Sequence, residues 1–280
     1  MERWIGPTLF ILLTIFMIGW GRSVFSAPAA RNSQTKFVWA EPTRYLRLEA
    51  AYTFHSMNYT GSGSSEYQRF FYGDFNRYEL RFGIGYLNKF SDQAYQFGVG
   101  GTYHLLKPLA VSLDVAVSPN QMIQPVEELQ TGVRYSFLKG WLKVGGDFRF
   151  QGFRQADLYE GVPVVQFGMP ERFWFTGRYI LTRTADFLGN TRGEQSFEIR
   201  GDLRPFSVLT LSGFYGRSQH DFEAGAPDNP FKQFTADELG GGVRFTFSGG
   251  SGLFFDFRGQ DRNNAQTSHL YTGGMFIQFR

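Results

Sequence analysis

The chain contains no cysteine among its 280 residues. That excludes a disulfide framework, a thiolate metal site and a cysteine nucleophile. It has little charge of one sign: 28 Lys and Arg stand against 25 Asp and Glu, a formal net charge of +3. No basic run interleaves with aromatics, so a nucleic-acid partner is not expected. Long apolar runs are also missing. The one candidate, residues 9–20, falls short of the ~20 residues that a membrane-spanning helix needs. Past residue 29 there is no helical periodicity of useful length, so a helical membrane domain is not expected.

What is present is glycine and aromatic side chains, with 34 Gly, 32 Phe and 14 Tyr. This composition suits strands and tight turns rather than helices. The dominant pattern is a dyad that repeats from about residue 44 to the end of the sequence. In one copy, residues 77–86, the even positions are Tyr78, Leu80, Phe82, Ile84 and Tyr86, and the odd ones are Arg77, Glu79, Arg81, Gly83 and Gly85. Period-two alternation places one apolar and one polar face on a β-strand. At the N-terminus, Arg3 precedes the apolar run and Ala27-Pro28-Ala29 follows it. Residues 1–29 are expected to be a signal peptide cleaved near Ala29, with a retained anchor as the alternative. Residues 30–280 then form a single domain.

Twelve strands read clearly: 45–54, 77–86, 95–104, 109–117, 129–137, 142–151, 172–181, 196–203, 208–215, 239–247, 253–259 and 270–279. Two weaker ones are 66–72 and 162–168. Short connections (104–108, 138–140, 168–171, 204–205, 248–250) alternate with longer ones (118–127, 152–161, 182–195, 217–236, 260–269) only if both weak strands count. The expectation is a closed antiparallel transmembrane β-barrel of about 14 strands, with 12 as the alternative.

A soluble sandwich would share the dyad, with its apolar face inward. Three features favour the opposite orientation. Tyrosines bracket aliphatic centres, as Tyr78 and Tyr86 do around Leu80, Phe82 and Ile84, which matches an apolar band between two aromatic girdles. The polar face carries both signs: Arg47, Glu49, Arg77, Glu79, Arg81, Asp114, Arg134, Lys143, Asp147, Arg149, Arg178, Glu198, Arg200, Asp202, Arg244, Asp256 and Arg258. A basic residue turned to lipid at the midplane would cost about 2–4 kcal/mol, a cost that a lumen removes. The last strand carries Thr272, Gly274, Ile277 and Phe279, which looks like the C-terminal signal read by outer-membrane assembly machinery, with Arg280 as a departure.

Further landmarks are Val117-Ser118-Pro119-Asn120 with Pro125, then Tyr135-Ser136-Phe137-Leu138-Lys139-Gly140-Trp141, then Phe148-Arg149-Phe150. Their order and spacing resemble the YaiO family of outer-membrane barrels. The resemblance implies an outer-membrane barrel of poorly defined role, in a family some of whose members resemble parts of envelope polysaccharide systems.

No catalytic constellation stands out. Of the four histidines, His104 is expected in a periplasmic turn, and His55, His220 and His269 near the outer rim. Ser268 and His269 would face opposite ways once their strand has begun. No ligand spacing supports a metal, and no cofactor is expected. Gly98–Gly101 and Gly240–Gly242 lie inside strands and suggest room for neighbouring long side chains, not a phosphate cradle. The expected partners are outer-membrane lipid and lipopolysaccharide, the assembly machinery, and small polar or anionic solutes. The expected role is a narrow pore or an envelope component, with a plugged anchoring barrel or a rim hydrolase as alternatives.

Overall fold

The computed structural model describes residues 44–58, 61–74, 77–89, 92–119, 124–169, 172–187, 189–220, 234–247, 249–263 and 266–279. The expected signal peptide and Arg280 lie outside them. Among these residues fourteen strands form: β1 (Arg44–Met57), β2 (Gly61–Asp74), β3 (Tyr78–Lys89), β4 (Asp92–Leu106), β5 (Leu109–Val117), β6 (Glu127–Phe137), β7 (Leu142–Gly152), β8 (Ala156–Met169), β9 (Phe173–Asp186), β10 (Thr191–Phe206), β11 (Leu209–His220), β12 (Phe234–Thr246), β13 (Gly252–Arg262) and β14 (Thr267–Phe279). Each pairs with its sequence neighbours, and β1 pairs antiparallel with β14 to close the barrel. Closure leaves no open edge, which is what allows a sheet to cross lipid.

Both weak strands are real. β2 and β8 read poorly because each carries apolar side chains on both faces. On β8, Val162 and Val164 alternate with Pro163 and Val165, so the dyad disappears while the ladder to β7 stays continuous. The ladder from β8 to β9 skips between Gly161 and Val164, where Pro163 has no N–H to give.

The strands are longer than the alternation suggests. β8 begins at Ala156, β9 runs to Asp186 and β10 starts at Thr191, inside segments expected to be loops. Backbone pairing continues above the apolar band, where polar side chains are tolerated on both faces and the dyad carries no information. At the turn end, Leu138–Gly140 forms one 3₁₀ turn in which Gly140 takes a φ of +95°, a conformation that suits glycine.

Register fixes orientation. Opposed residues share a face, so one inward side chain sets the parity of all fourteen strands. The outward face holds Leu80, Phe82, Val99 and Leu239, exposed by 55, 50, 62 and 65%. A belt of apolar side chains this exposed suits lipid and not water. Tyr78 opposes Tyr103 near one boundary and Tyr86 opposes Tyr95 near the other, the latter rings 5.1 Å apart. The two tyrosine rows flank the aliphatic centre as aromatic girdles do.

Not every ring faces outward. Phe71, Phe214, Phe254 and Phe276 belong to the inward parity, and Phe254 and Phe276 join Ala51 in a small buried cluster that Tyr67 packs against. Phe254 fits because Gly274 lies opposite: a Cβ there would meet the Phe254 ring at 2.7 Å and closer.

Candidate functional site: the lumen

The inward parity collects almost all the predicted polar residues. Arg47, Glu49, Glu79, Arg81, Asp114, Arg134, Lys143, Asp147, Arg149, Arg178, Glu198, Arg200, Asp202, Arg244, Asp256 and Arg258 all stand on the inner wall. Arg77 does not. It precedes β3 in the turn, where its backbone N–H donates to the Asp74 carbonyl at 3.0 Å. The periodic segment therefore starts one residue later than the dyad suggests, because a turn residue can continue an alternation without belonging to the sheet.

Cross-strand geometry decides the pairing. Opposite charges meet across neighbouring strands, two residues apart along one strand, or, where Gly100 on β4 leaves the way clear, from β3 to β5. Arg81 donates to both Asp114 oxygens at 2.9 and 2.7 Å and to Glu79 at 3.0 Å. Arg134 grips Asp147 at two points. Arg149 Nε donates to Glu128 at 2.8 Å, and its Nη1 lies 3.6 Å from Glu160. Arg200 pairs with Asp202 at 3.0 Å, and Arg258 with Glu238. Glu49 receives Arg47, has Arg244 at 3.8 Å, and accepts the Tyr67 hydroxyl at 3.2 Å. Arg178 reaches Glu198 only at 3.5 Å.

Glu128, Glu160 and Glu238, three of the counter-ions, escaped the sequence reading. Glu160 falls in the expected connection 152–161, and Glu128 and Glu238 lie just before the expected strands 129–137 and 239–247. Arg69 and Tyr67 were missed for a different reason: β2 was weak, and no parity could be set from its mixed faces. Arg69 stands inward, with its guanidinium over the Tyr67 ring at 4.5 Å.

The lumen has two unlike halves. On β11–β14, β1 and β2, arginines stack on inward rings: Arg47 over Phe71 and Phe276 at 5.1 and 5.0 Å, Arg244 over Phe254 and Phe276 at 5.3 and 4.8 Å, and Arg258 over Phe214 at 5.1 Å. These contacts hold the cations flat against the wall. On β3–β6 the inward positions include the small residues Gly83, Gly85, Gly98, Gly100, Ser112, Ala116 and Gly132, set among Arg81, Asp114 and Arg134. A cavity of about 640 Å³ lies against that half and extends to Arg69 on β2 and Arg178 on β9. Gly98 and Gly100 line this cavity, while Gly240 leaves room for the Phe214 ring and Gly242 for Asp256.

The histidines are dispersed. His104 lies on β4, inward, beside a small recess with Tyr45, Asp74 and Glu79, and not in a turn. The ladder simply runs past it to Leu106. His269 faces outward and stacks on Phe257 at 6.0 Å, while Ser268 faces inward, so the two do not meet. His55 Nε2 lies 3.1 Å from Ser65 Oγ, and no carboxylate among the described residues orients that ring. A triad needs that third group. The side chain of His220 lies outside the described residues, and no group of three metal-ligating side chains occurs among those searched.

No family model and no curated protein matches the chain. Solved structures do. A bacterial polysaccharide outer membrane secretin superposes with a TM-score of 0.57 at 12% identity, over 84% of this chain and 98% of its own. The CymD monoaromatic hydrocarbon channel gives 0.54 at 10% identity, over 85% and 88%. Closed topology, outward apolar belt and these likenesses define the class: an integral β-barrel of the outer-membrane type.

Proposed function

We propose that the barrel is a narrow passive pore of the Gram-negative outer membrane for small polar or anionic solutes, without enzymatic activity of its own. The observation that carries this reading is a wet inner wall. Arg178, Arg200 and Arg258 stand on the inward face, yet their side chains are 45, 44 and 46% exposed. Water that reaches these guanidiniums can carry small solutes past them. The arginine–aromatic stacks crowd one side of the lumen, and the cavity lies against the other. The YaiO-like landmarks, and a structural neighbour whose name includes a polysaccharide, favour a setting in the cell envelope.

The outward belt meets membrane lipid and, in the outer leaflet, lipopolysaccharide. Thr272, Gly274, Ile277 and Phe279 are read as the signal for the assembly machinery. Thr272 and Gly274 face inward, and Ile277 and Phe279 face lipid. Full-length protein in planar lipid bilayers is expected to show discrete conductance steps. Arg81→Glu and Arg149→Glu are expected to alter their size and their preference between anions and cations. Silence at every voltage overturns the reading in favour of a sealed anchoring barrel.

A further inference from the structure

Most lumen arginines are already committed. Arg81 and Arg134 line the cavity, but both are held at two points by carboxylates. The carboxylates on the same lining, Asp114, Glu128 and Asp147, are each occupied by an arginine in turn. Two other cations of this lining are different. Arg69 has no carboxylate partner among the described residues, and Arg178 has only the 3.5 Å contact to Glu198. Both line the same cavity, from opposite sides of its glycine-paved wall.

We propose that Arg69 and Arg178 form an anion-binding site in this off-centre path, and that its ligand class is a small hydroxylated carboxylate such as a sugar acid. This rests on the pore reading and adds to it a route and a selecting pair. The Arg69 guanidinium sits 4.5 Å over the Tyr67 ring and the residue is exposed, so its N–H groups are left to face a solute. A stacked guanidinium presents its donors as a fork that matches the two oxygens of a carboxylate. Gln96, Gln130 and Ser112 also line the cavity and supply amide and hydroxyl groups for the rest of a polyhydroxylated skeleton. The volume of about 640 Å³ is in the range of small-molecule sites. Asp114, Asp147 and Glu128 do not repel such a ligand as free charges would, since each is neutralised within the wall.

The test is calorimetric titration of the full-length detergent-solubilised barrel with sodium glucuronate, with glucose as the uncharged counterpart. Wild type is compared with R69Q/R178Q and with R200Q/R258Q, which removes the same charge from β10 and β13, at residues outside the cavity lining. The expected result is glucuronate binding that R69Q/R178Q weakens about tenfold or more, the effect of losing charge-assisted hydrogen bonds. R200Q/R258Q should change it little, and glucose should give no comparable heat. Equal losses in both double variants would show a diffuse field instead of a site and overturn the proposal. So would wild type that conducts in bilayers and does not bind glucuronate. Wild type that binds glucuronate but never conducts would leave the site standing and remove the pore.

Discussion

Arg134 and Asp147 meet at two points on the inner wall, Nη1 to Oδ1 at 2.8 Å and Nη2 to Oδ2 at 2.6 Å, and neither directly opposes the other in the sheet. Arg134 opposes Gly145, and Asp147 opposes Gly132. Two Arg–Gly and Gly–Asp rungs therefore become one diagonal ion pair, laid flat because each glycine leaves its neighbour's space empty. A Cβ on Gly132 would stand 2.5 Å from Asp147 Oδ1 and 2.7 Å from Ser112 Oγ, and one on Gly145 would stand 2.7 Å from Arg134 Cδ.

The first prediction follows from that crowding. Gly132→Val should force Asp147 off the wall and break the two-point contact. Overpacking of this kind costs about 1–3 kcal/mol. Urea titration of the folded barrel in lipid should show the loss, and Gly161→Ala, whose Cβ would meet nothing within 4 Å, should show much less.

A second prediction separates pair from charge. Arg134→Gln leaves Asp147 without its partner, so the lumen gains one uncompensated negative charge. The stability loss should be about 1.5–3 kcal/mol, the range for hydrogen bonds to charged groups. Bilayer recordings should shift toward cations. R134Q/D147N removes both charges and should restore selectivity close to wild type, which a double-variant cycle would read as a coupling between the two sites. Equal selectivity in the single and double variants would separate this pair from conduction.

The lumen was only partly legible before the fold was known, and the reasons are physical. Parity is a strong signal where one face must be apolar, so Tyr78–Leu80–Phe82–Ile84–Tyr86 could be oriented from sequence. It fails where the constraint lapses. Glu128, Glu160 and Glu238 lie toward the loop end of their strands, where lipid no longer demands alternation. Phe254 and Phe276 violate it from the other side: a wet lumen accepts rings when arginines cover them, and nothing in a phenylalanine's own position announces the arginine. Arg69 needed the register of β2 against its neighbours, where it opposes Glu49 on β1 and Gly83 on β3. The count of fourteen strands, by contrast, could be reached from the alternation of short and long connections, which stays in phase only with both weak strands and agrees with the even number of strands that antiparallel closure requires.

A third prediction concerns the lipid face. Phe82 and Val99 oppose each other between the tyrosine rows, half or more exposed. Phe82→Arg should lower stability by about 2–4 kcal/mol, the cost of a basic side chain at the midplane. Gly83→Ser lies one residue away on the inward face, where a Cβ would have no neighbour closer than 3.6 Å, and should be nearly silent. Refolding titrations into lipid vesicles read both. Similar costs for the two would contradict the orientation of the whole wall.

A fourth prediction tests the last strand. Phe279 and Phe276 lie three residues apart on β14 and do different work. Phe276 points inward, 5% exposed, beneath the guanidiniums of Arg47 and Arg244, with Ala51 and Phe254 in the same cluster. Phe279 opposes Leu46 on the lipid side at the closing seam. Phe276→Ala should therefore cost about 3–5 kcal/mol in purified, refolded protein, the usual range for a buried phenylalanine, with the lower end favoured because water can enter the space. Phe279→Ala should change refolded stability far less, since lipid replaces the ring's contacts. In cells the order should reverse if Phe279 is read by the assembly machinery: outer-membrane levels should fall more for Phe279→Ala than its stability predicts. Cellular levels that simply track refolded stability for both variants would remove the signal reading and leave the terminal aromatic as one more contact of the girdle.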